Sequence, residues 1–313
     1  MAGGQERILR RRIKSVQSTK KITRAMELIA SSRIVRAMGR ISSARPYYEQ
    51  LSEVVRDLAA GSSLPKSLYI GQGDESKVLG LVVMVADRGL CGGYNSTALR
   101  MAERLIRSRE AKGQKTRVVV VGRKGEAYFR YREIAVDGSL MHISDRPSYQ
   151  DARTIADMIL GPFEAEEISA VDVISTRFLS AGTQKLERSR LAPIDPAIFA
   201  SDTKTSYDFE YEPSPEAIID PLLKQFVESK IFALLLEASA SELAAKQRAM
   251  AAATENAEEL IKSLSRVMNR ARQDAITTEI MEIVGGAEAL GSSSDWESES
   301  QLVEFKSNSP RAS

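Results

Sequence analysis

One cysteine, one histidine and one tryptophan are present in 313 residues. The sole cysteine, Cys91, excludes an internal disulfide and any all-cysteine zinc site, and it suits a reducing compartment. With His142 as the only histidine, the chain holds no His-His or His-Cys metal cluster, and His142 itself is expected to be an ordinary loop or strand residue. No apolar run approaches the ~20 residues needed to span a bilayer; the longest is the strand-like Leu79 to Ala86. The first residues lack the apolar core of a secretion signal, so a cytoplasmic bacterial protein is expected. Aromatic residues are absent before Tyr47, which weakens any single-strand nucleic-acid reading of the N-terminal region.

The most informative absence lies near the other end. From Leu222 to Val284 there are 63 residues without a glycine or a proline. As a helix this stretch would measure about 90 Å, several times the usual three or four turns. Leu236, Ala240, Leu243, Gln247, Met250, Thr254, Ala257, Ile261, Leu264, Met268, Ala271, Ala275 and Thr278 step alternately by four and three, the spacing of a left-handed coiled coil. The seam is rich in alanine and carries polar residues at Gln247 and Thr254, so it permits close approach while each position buries little surface. It suits a slender shaft better than a leucine-rich glue.

The partner helix is expected at the N-terminus. From Gln5, apolar residues recur at Leu9, Ile13 and Val16, then at Ile22, Met26 and Ile29, with a polar interruption around Thr19 and Lys20. Pro46 marks an expected kink or break before the pattern resumes at Leu51, Val54, Val55 and Leu58. Between Gln5 and Arg45 there are twelve Lys or Arg against Glu6 and Glu27, a net of +10. Glu216 to Leu290 carries eight basic and twelve acidic residues, a net of −4. Opposite signs favour pairing of the two helices. The basic helix could equally be a nucleic-acid-binding face or a surface for acidic protein; charge alone does not separate these.

Between the helices the rhythm changes. Val78 to Ala86, Val118 to Val121 and Ala170 to Ser175 read as buried strands, and Ser96 to Lys112 (capped by Asn95), Lys124 to Arg132 and Tyr149 to Glu167 as helices. That alternation implies a small α/β domain with parallel strands. The expected organisation is an N-terminal coiled-coil helix over 1–62, an α/β domain over 63–215, a C-terminal coiled-coil helix over 216–290 and a serine-rich, acidic, disordered tail over 291–313 that contains Trp296. Trp296 is read as a solvated tail residue, with a docking anchor as the alternative.

Asp87-Arg88-Gly89-Leu90-Cys91-Gly92-Gly93-Tyr94-Asn95 is a glycine-rich turn between a strand and a helix, where phosphate could bind at a helix N-terminus. It lacks the Gly-Lys-Ser/Thr ending of a P-loop and the G-x-G-x-x-G dinucleotide pattern. A structural turn is therefore the favoured reading, with Cys91 a small buried hydrophobe lacking a nearby histidine in sequence to activate it.

The wording at both ends carries more. Arg12-Ile13-Lys14-Ser15-Val16, with the run from Lys20-Lys21-Ile22-Thr23-Arg24-Ala25-Met26 to Arg33, closely resembles the N-terminal helix of the γ subunits of F-type ATP synthases. Ala249 to Ala257, Asn269 to Ala287 and the Asp87 to Asn95 turn are similar to that family's signatures, so the resemblance covers about residues 5 to 290. It implies an α/β fold plus a long antiparallel coiled coil, with the terminal helices paired around a central Rossmann-like domain. It further implies a non-catalytic central-stalk rotor without cofactors. One copy would serve a complex with the α and β subunits (an α3β3 hexamer), the ε subunit and the membrane c-ring, with no nucleic acid. The rotor would be peripheral to the inner or plasma membrane on its cytoplasmic side. Carried over residue by residue, Arg272, Gln273 and Thr277 would form a catch for a β-subunit loop. Lys20, Lys21, Arg24 and Met26 would lie where acidic β segments press on the shaft. The family's dithiol switch in photosynthetic members cannot exist with Cys91 alone, and the segment after Leu290 runs past the family pattern.

Overall fold

In a computed structural model, residues 2–60, 67–74, 77–195 and 215–307 are described, with side chains over 5–56, 67–74, 77–195 and 218–288. The chain forms two compact units, Met1–Thr23 with Ala253–Ser313, and Arg24–Ala252. Two helices pass through both: α1, Ala2–Ala60, and α5, Pro215–Ser307. The expected domain junction at 62/63 falls in segment 61–66, outside the described residues, and the one at 215/216 falls at the first residues of α5, directly after the undescribed segment 196–214.

The unit Arg24–Ala252 holds a five-stranded sheet. Its elements in chain order are β1 (Leu79–Met84), α2 (Tyr94–Glu110), β2 (Thr116–Val121), α3 (Arg123–Tyr131), β3 (Gly138–Leu140), α4 (Tyr149–Glu164), β4 (Ala170–Phe178) and β5 (Gln184–Ala192). The strands lie in the order β3-β2-β1-β4-β5. The first four pair in parallel, and β5 closes the edge antiparallel to β4. Because side chains alternate faces along a strand, each apolar run feeds two cores. Val82, Met84, Val119, Val121, Val171 and Val173 pack toward α4 and the first turns of α5, whereas Leu81, Val83, Val118 and Val120 pack toward α2 and α3.

Two strands escape the sequence reading. β3 is only three residues long, too short for a periodic signal. β5 carries Lys185, Glu187, Arg188 and Arg190 on an edge, where composition resembles a loop. Its arginines are anchored nonetheless: Arg188 and Arg190 both pair with the carboxylate of Asp172, which is 1 % exposed.

In this unit the helices run antiparallel. Ile34 and Ala37 of α1 cluster with Ala240, Leu243 and Ala244 of α5, and Tyr48 stacks on Phe226 with ring centroids 5.7 Å apart. Pro46 does not break α1, contrary to expectation. One missing N–H costs a single hydrogen bond, and the buried Leu51 and Val55 hold the following turns against the sheet domain.

The unit Met1–Thr23 with Ala253–Ser313 is two helical segments, again antiparallel: Lys20 Nζ meets Glu258 at 3.0 Å, and the hydroxyls of Thr23 and Thr254 meet at 2.8 Å. Ile13, Thr23 and Ala257 are buried, and Ile261, Leu264, Met268, Ala271 and Ala275 are half-buried at the expected 4,3 spacing. From Thr278 to Glu288 every described side chain is exposed. The backbone from Gly291 to Ser307 continues α5, which corrects the expected disordered tail over that stretch. A nucleated helix gains one hydrogen bond per added residue, and no proline follows Pro221 before Pro310. Trp296 lies outside the described side chains.

The seam of α1 differs from expectation. Leu9, Ile13, Val16, Lys20, Thr23, Glu27, Ala30, Ile34, Ala37, Ile41, Ala44, Tyr48, Leu51 and Val55 form an unbroken 4,3 series in which no member is exposed. Ile22 and Ile29, expected inside, are 60 % and 54 % exposed, because polar side chains occupy the seam between Lys20 and Glu27.

Candidate partner-contact surfaces

The residues singled out on the two helices are mostly open to solvent. On α5, Arg272, Gln273 and Thr277 are exposed. The Thr277 hydroxyl donates back to the Gln273 carbonyl at 2.9 Å, leaving it anchored to its own helix. Helical spacing puts Gln273 and Thr277 on one face, with Arg272 beside them. The apolar side chains around them, Ile276, Ile280, Met281, Ile283 and Val284, are each about half exposed or more.

On α1, Lys20 is half-buried and paired with Glu258, and Lys21 is exposed. The Arg24 guanidinium donates to both carboxylate oxygens of Glu27, at 2.8 and 2.9 Å, and Met26 is half-buried. Two of the cations are thus partly neutralised by neighbours, and Lys21 carries the least encumbered charge of the three.

The glycine-rich turn is a structural hub. Asp87 follows β1 and accepts backbone N–H bonds from Arg123 at 2.9 Å, His142 at 2.9 Å and Ser144 at 3.0 Å, tying together three loops at the carboxyl ends of the parallel strands. Burial pushes its carboxyl up, but these donors outweigh burial and hold it below the usual value. His142 takes a positive φ of 67° to place its N–H there. Asn95 is not the cap of α2. It lies inside the first turn, and its side chain accepts from the Ala86 N–H at 2.8 Å and donates to the Arg88 carbonyl, stitching the turn shut. Gly93 occupies the cap position.

Open α/β sheets bind nucleotides in the crevice where strand order reverses, here between β1 and β4. In this chain α5 fills it. Ser241 donates to the Thr176 carbonyl at 3.1 Å, Tyr94 donates to the Ala238 carbonyl at 3.1 Å, and Ala245 packs on Cys91. Beside it remains an open cavity of about 430 Å³ whose one cation, Arg248, is held by the Ala181 carbonyl and by Gln184. Cys91 is 2 % exposed; burial, then the Glu242 carboxylate, pushes its thiol up, so it stays protonated and unreactive. Among the described residues no cluster of three or more His, Cys, Asp or Glu side chains could hold a metal, and no helix is long and apolar enough to cross a membrane.

A family model described as ATP synthase matches residues 5–290. The ATP synthase gamma chain of Frankia casuarinae is 46 % identical over 297 residues, spanning 92 % of this chain and 99 % of the relative. That of Kineococcus radiotolerans is 45 % identical, spanning 93 % and 98 %. Among solved structures, a chain of the Euglena gracilis mitochondrial ATP synthase (OSCP/F1/c-ring) shares the fold with a TM-score of 0.67 at 17 % identity, covering 93 % of this chain and 96 % of that one. A chain from the central stalk and c-ring of the Tetrahymena thermophila enzyme gives 0.55 at 21 % identity, covering 74 % and 99 %.

Proposed function

The chain belongs to the ATP synthase gamma chain family, and from that premise we propose that it is the non-catalytic rotor of the enzyme's central stalk. In this reading a membrane c-ring, driven by proton flow, turns the chain inside an α3β3 hexamer, and the turning helices force the β subunits through their nucleotide states. The ε subunit is a further partner, and the whole sits peripherally on the cytoplasmic side of the membrane.

The observation that carries the reading is the closed crevice. A Rossmann-like domain whose strand-order switch is plugged by a long helix is unsuited to hold a nucleotide there, and suited to grip that helix firmly enough to receive torque. Exposed side chains on the helices then meet the sleeve. Arg272, Gln273 and Thr277 act as the catch for a β-subunit loop. Lys20, Lys21, Arg24 and Met26 act where acidic β segments push, their attraction screened beyond about 8 Å in cellular salt.

The test is ATP-driven proton pumping in inverted membrane vesicles carrying the assembled enzyme. Charge-assisted hydrogen bonds contribute about 1.5–3 kcal/mol each, so the Arg272→Ala, Gln273→Ala double variant should lower coupled pumping about tenfold or more. Wild-type pumping in that variant would remove the catch assignment. Failure of a tagged chain to co-purify with catalytic subunits would remove the rotor reading itself.

A further inference from the structure

Within the unit Arg24–Ala252 a cavity of about 520 Å³ opens between α1, the start of α4, the end of β4 and α5. Its wall is aromatic: Tyr48, Tyr149, Phe178 and Phe232 line it, and Tyr149 and Phe232 meet edge to face with centroids 5.7 Å apart. That size and lining are those of a small-molecule site. The charges are arranged by depth. The guanidiniums at the rim, Arg45 and Arg177, have side chains 72 % and 54 % exposed, and Arg45 is already paired with Glu49 at 2.8 Å. The carboxylate in the wall, Glu237, has a side chain only 23 % exposed.

Glu237 is poorly satisfied for so sheltered a charge. Its nearest cation, Arg177 Nε, stands at 3.8 Å, and the Phe178 N–H reaches it only at 3.4 Å. Burial accordingly pushes its carboxyl up. Behind Tyr149 a second buried carboxylate, Glu228, accepts the phenol at 3.1 Å and meets Arg153 at no closer than 3.7 Å. Aromatic rings and under-neutralised carboxylates on the inside, with solvated arginines outside, make the interior attractive to positive charge. Aromatic faces attract cations most strongly where water is excluded.

We propose that this cavity is a binding site for an amphipathic organic cation, an aryl or alkyl ammonium whose charge lies against Glu237 and whose apolar part packs among Tyr149, Phe178 and Phe232. An anion is disfavoured at depth by Glu237 and Glu228. A neutral apolar molecule would leave the Glu237 carboxylate buried without a closer partner.

The test uses the full-length chain kept soluble by co-expression with its α and β subunits, and benzyltrimethylammonium, titrated by ligand-observed NMR, with benzyl alcohol as the uncharged comparison. Saturable binding of the cation is expected, with Glu237→Gln weakening it about tenfold, the size of one lost charge contact. Arg177→Gln removes the cation that competes for Glu237 and should tighten binding severalfold, a gain that misfolding cannot imitate. Absence of saturable binding overturns the proposal. So does equal affinity for benzyl alcohol, an unchanged affinity in Glu237→Gln, or weaker binding in Arg177→Gln.

Discussion

Asp87 is the residue on which the loops of the sheet domain depend. Its carboxylate satisfies three backbone N–H groups from two other loops, and replacing it with asparagine removes the charge from those bonds. A loss of about 1–3 kcal/mol is expected, read as a lower melting temperature. The pH dependence follows from its depressed folded value. The contribution is fully present above the unfolded value of about 3.9, and is lost as pH falls through the folded value, which lies lower still. Wild type should therefore lose its advantage over Asp87→Asn on acidification below about pH 4, and an advantage constant with pH would show that the carboxylate is not the group responsible. Gly122 is a second point of no tolerance. With φ at 99°, any Cβ would sit 2.1 Å from the Val85 carbonyl oxygen. Gly122→Ala must push two strand ends apart, and a loss of at least about 1–3 kcal/mol in denaturant unfolding is expected.

At the scale of elements, the two long helices were unequally legible. The α5 seam could be read because its members are alanine, leucine, methionine and isoleucine with only two polar steps before Thr278. The α1 seam could be read only towards its two ends, Leu9 to Val16 and Leu51 to Val55, because in between a search for apolar repeats follows Ile22 and Ile29 onto the outer face while Lys20, Thr23 and Glu27 hold the inner one. The polar seam is intelligible once both helices are seen: Thr23 finds Thr254, and Lys20 finds Glu258. Neither pair is visible from one helix alone. The Asp87 to Asn95 turn was legible as structural from its spacing, whereas β5 was hidden by charges whose partner, Asp172, lies on another strand. Close helix approach also yields a prediction. Ala240 is 0 % exposed and packs with Ile34 and Ala37. Ala240→Leu overfills that contact, and it should cost about 1–3 kcal/mol in thermal unfolding, where a loosely packed pair would gain stability instead.

At the scale of the whole molecule, the seam mixes small and polar steps with its apolar ones, while other large apolar side chains point outward. Ile22, Leu28, Ile29 and Val35 on α1, and Ile276, Ile280, Met281, Ile283 and Val284 on α5, are each about half exposed or more. Where such side chains form a contiguous patch, they mark an interaction site. Partner subunits that cover it should raise the soluble yield: co-expression with the α and β subunits is expected to shift the chain from aggregates into a soluble fraction, measured by sedimentation. A chain equally soluble without them would mean that these faces are not covered by the sleeve.

Those outward-facing side chains also bear on the life of the protein before assembly. A newly made copy exposes the surface by which cellular quality control distinguishes orphans from finished machines. In the proposed reading, surplus copies would be open to holdases and proteases through the same residues that meet the partner subunits. In that reading the abundance of the subunit would follow how quickly it is enclosed, and matched synthesis with its partners would be needed.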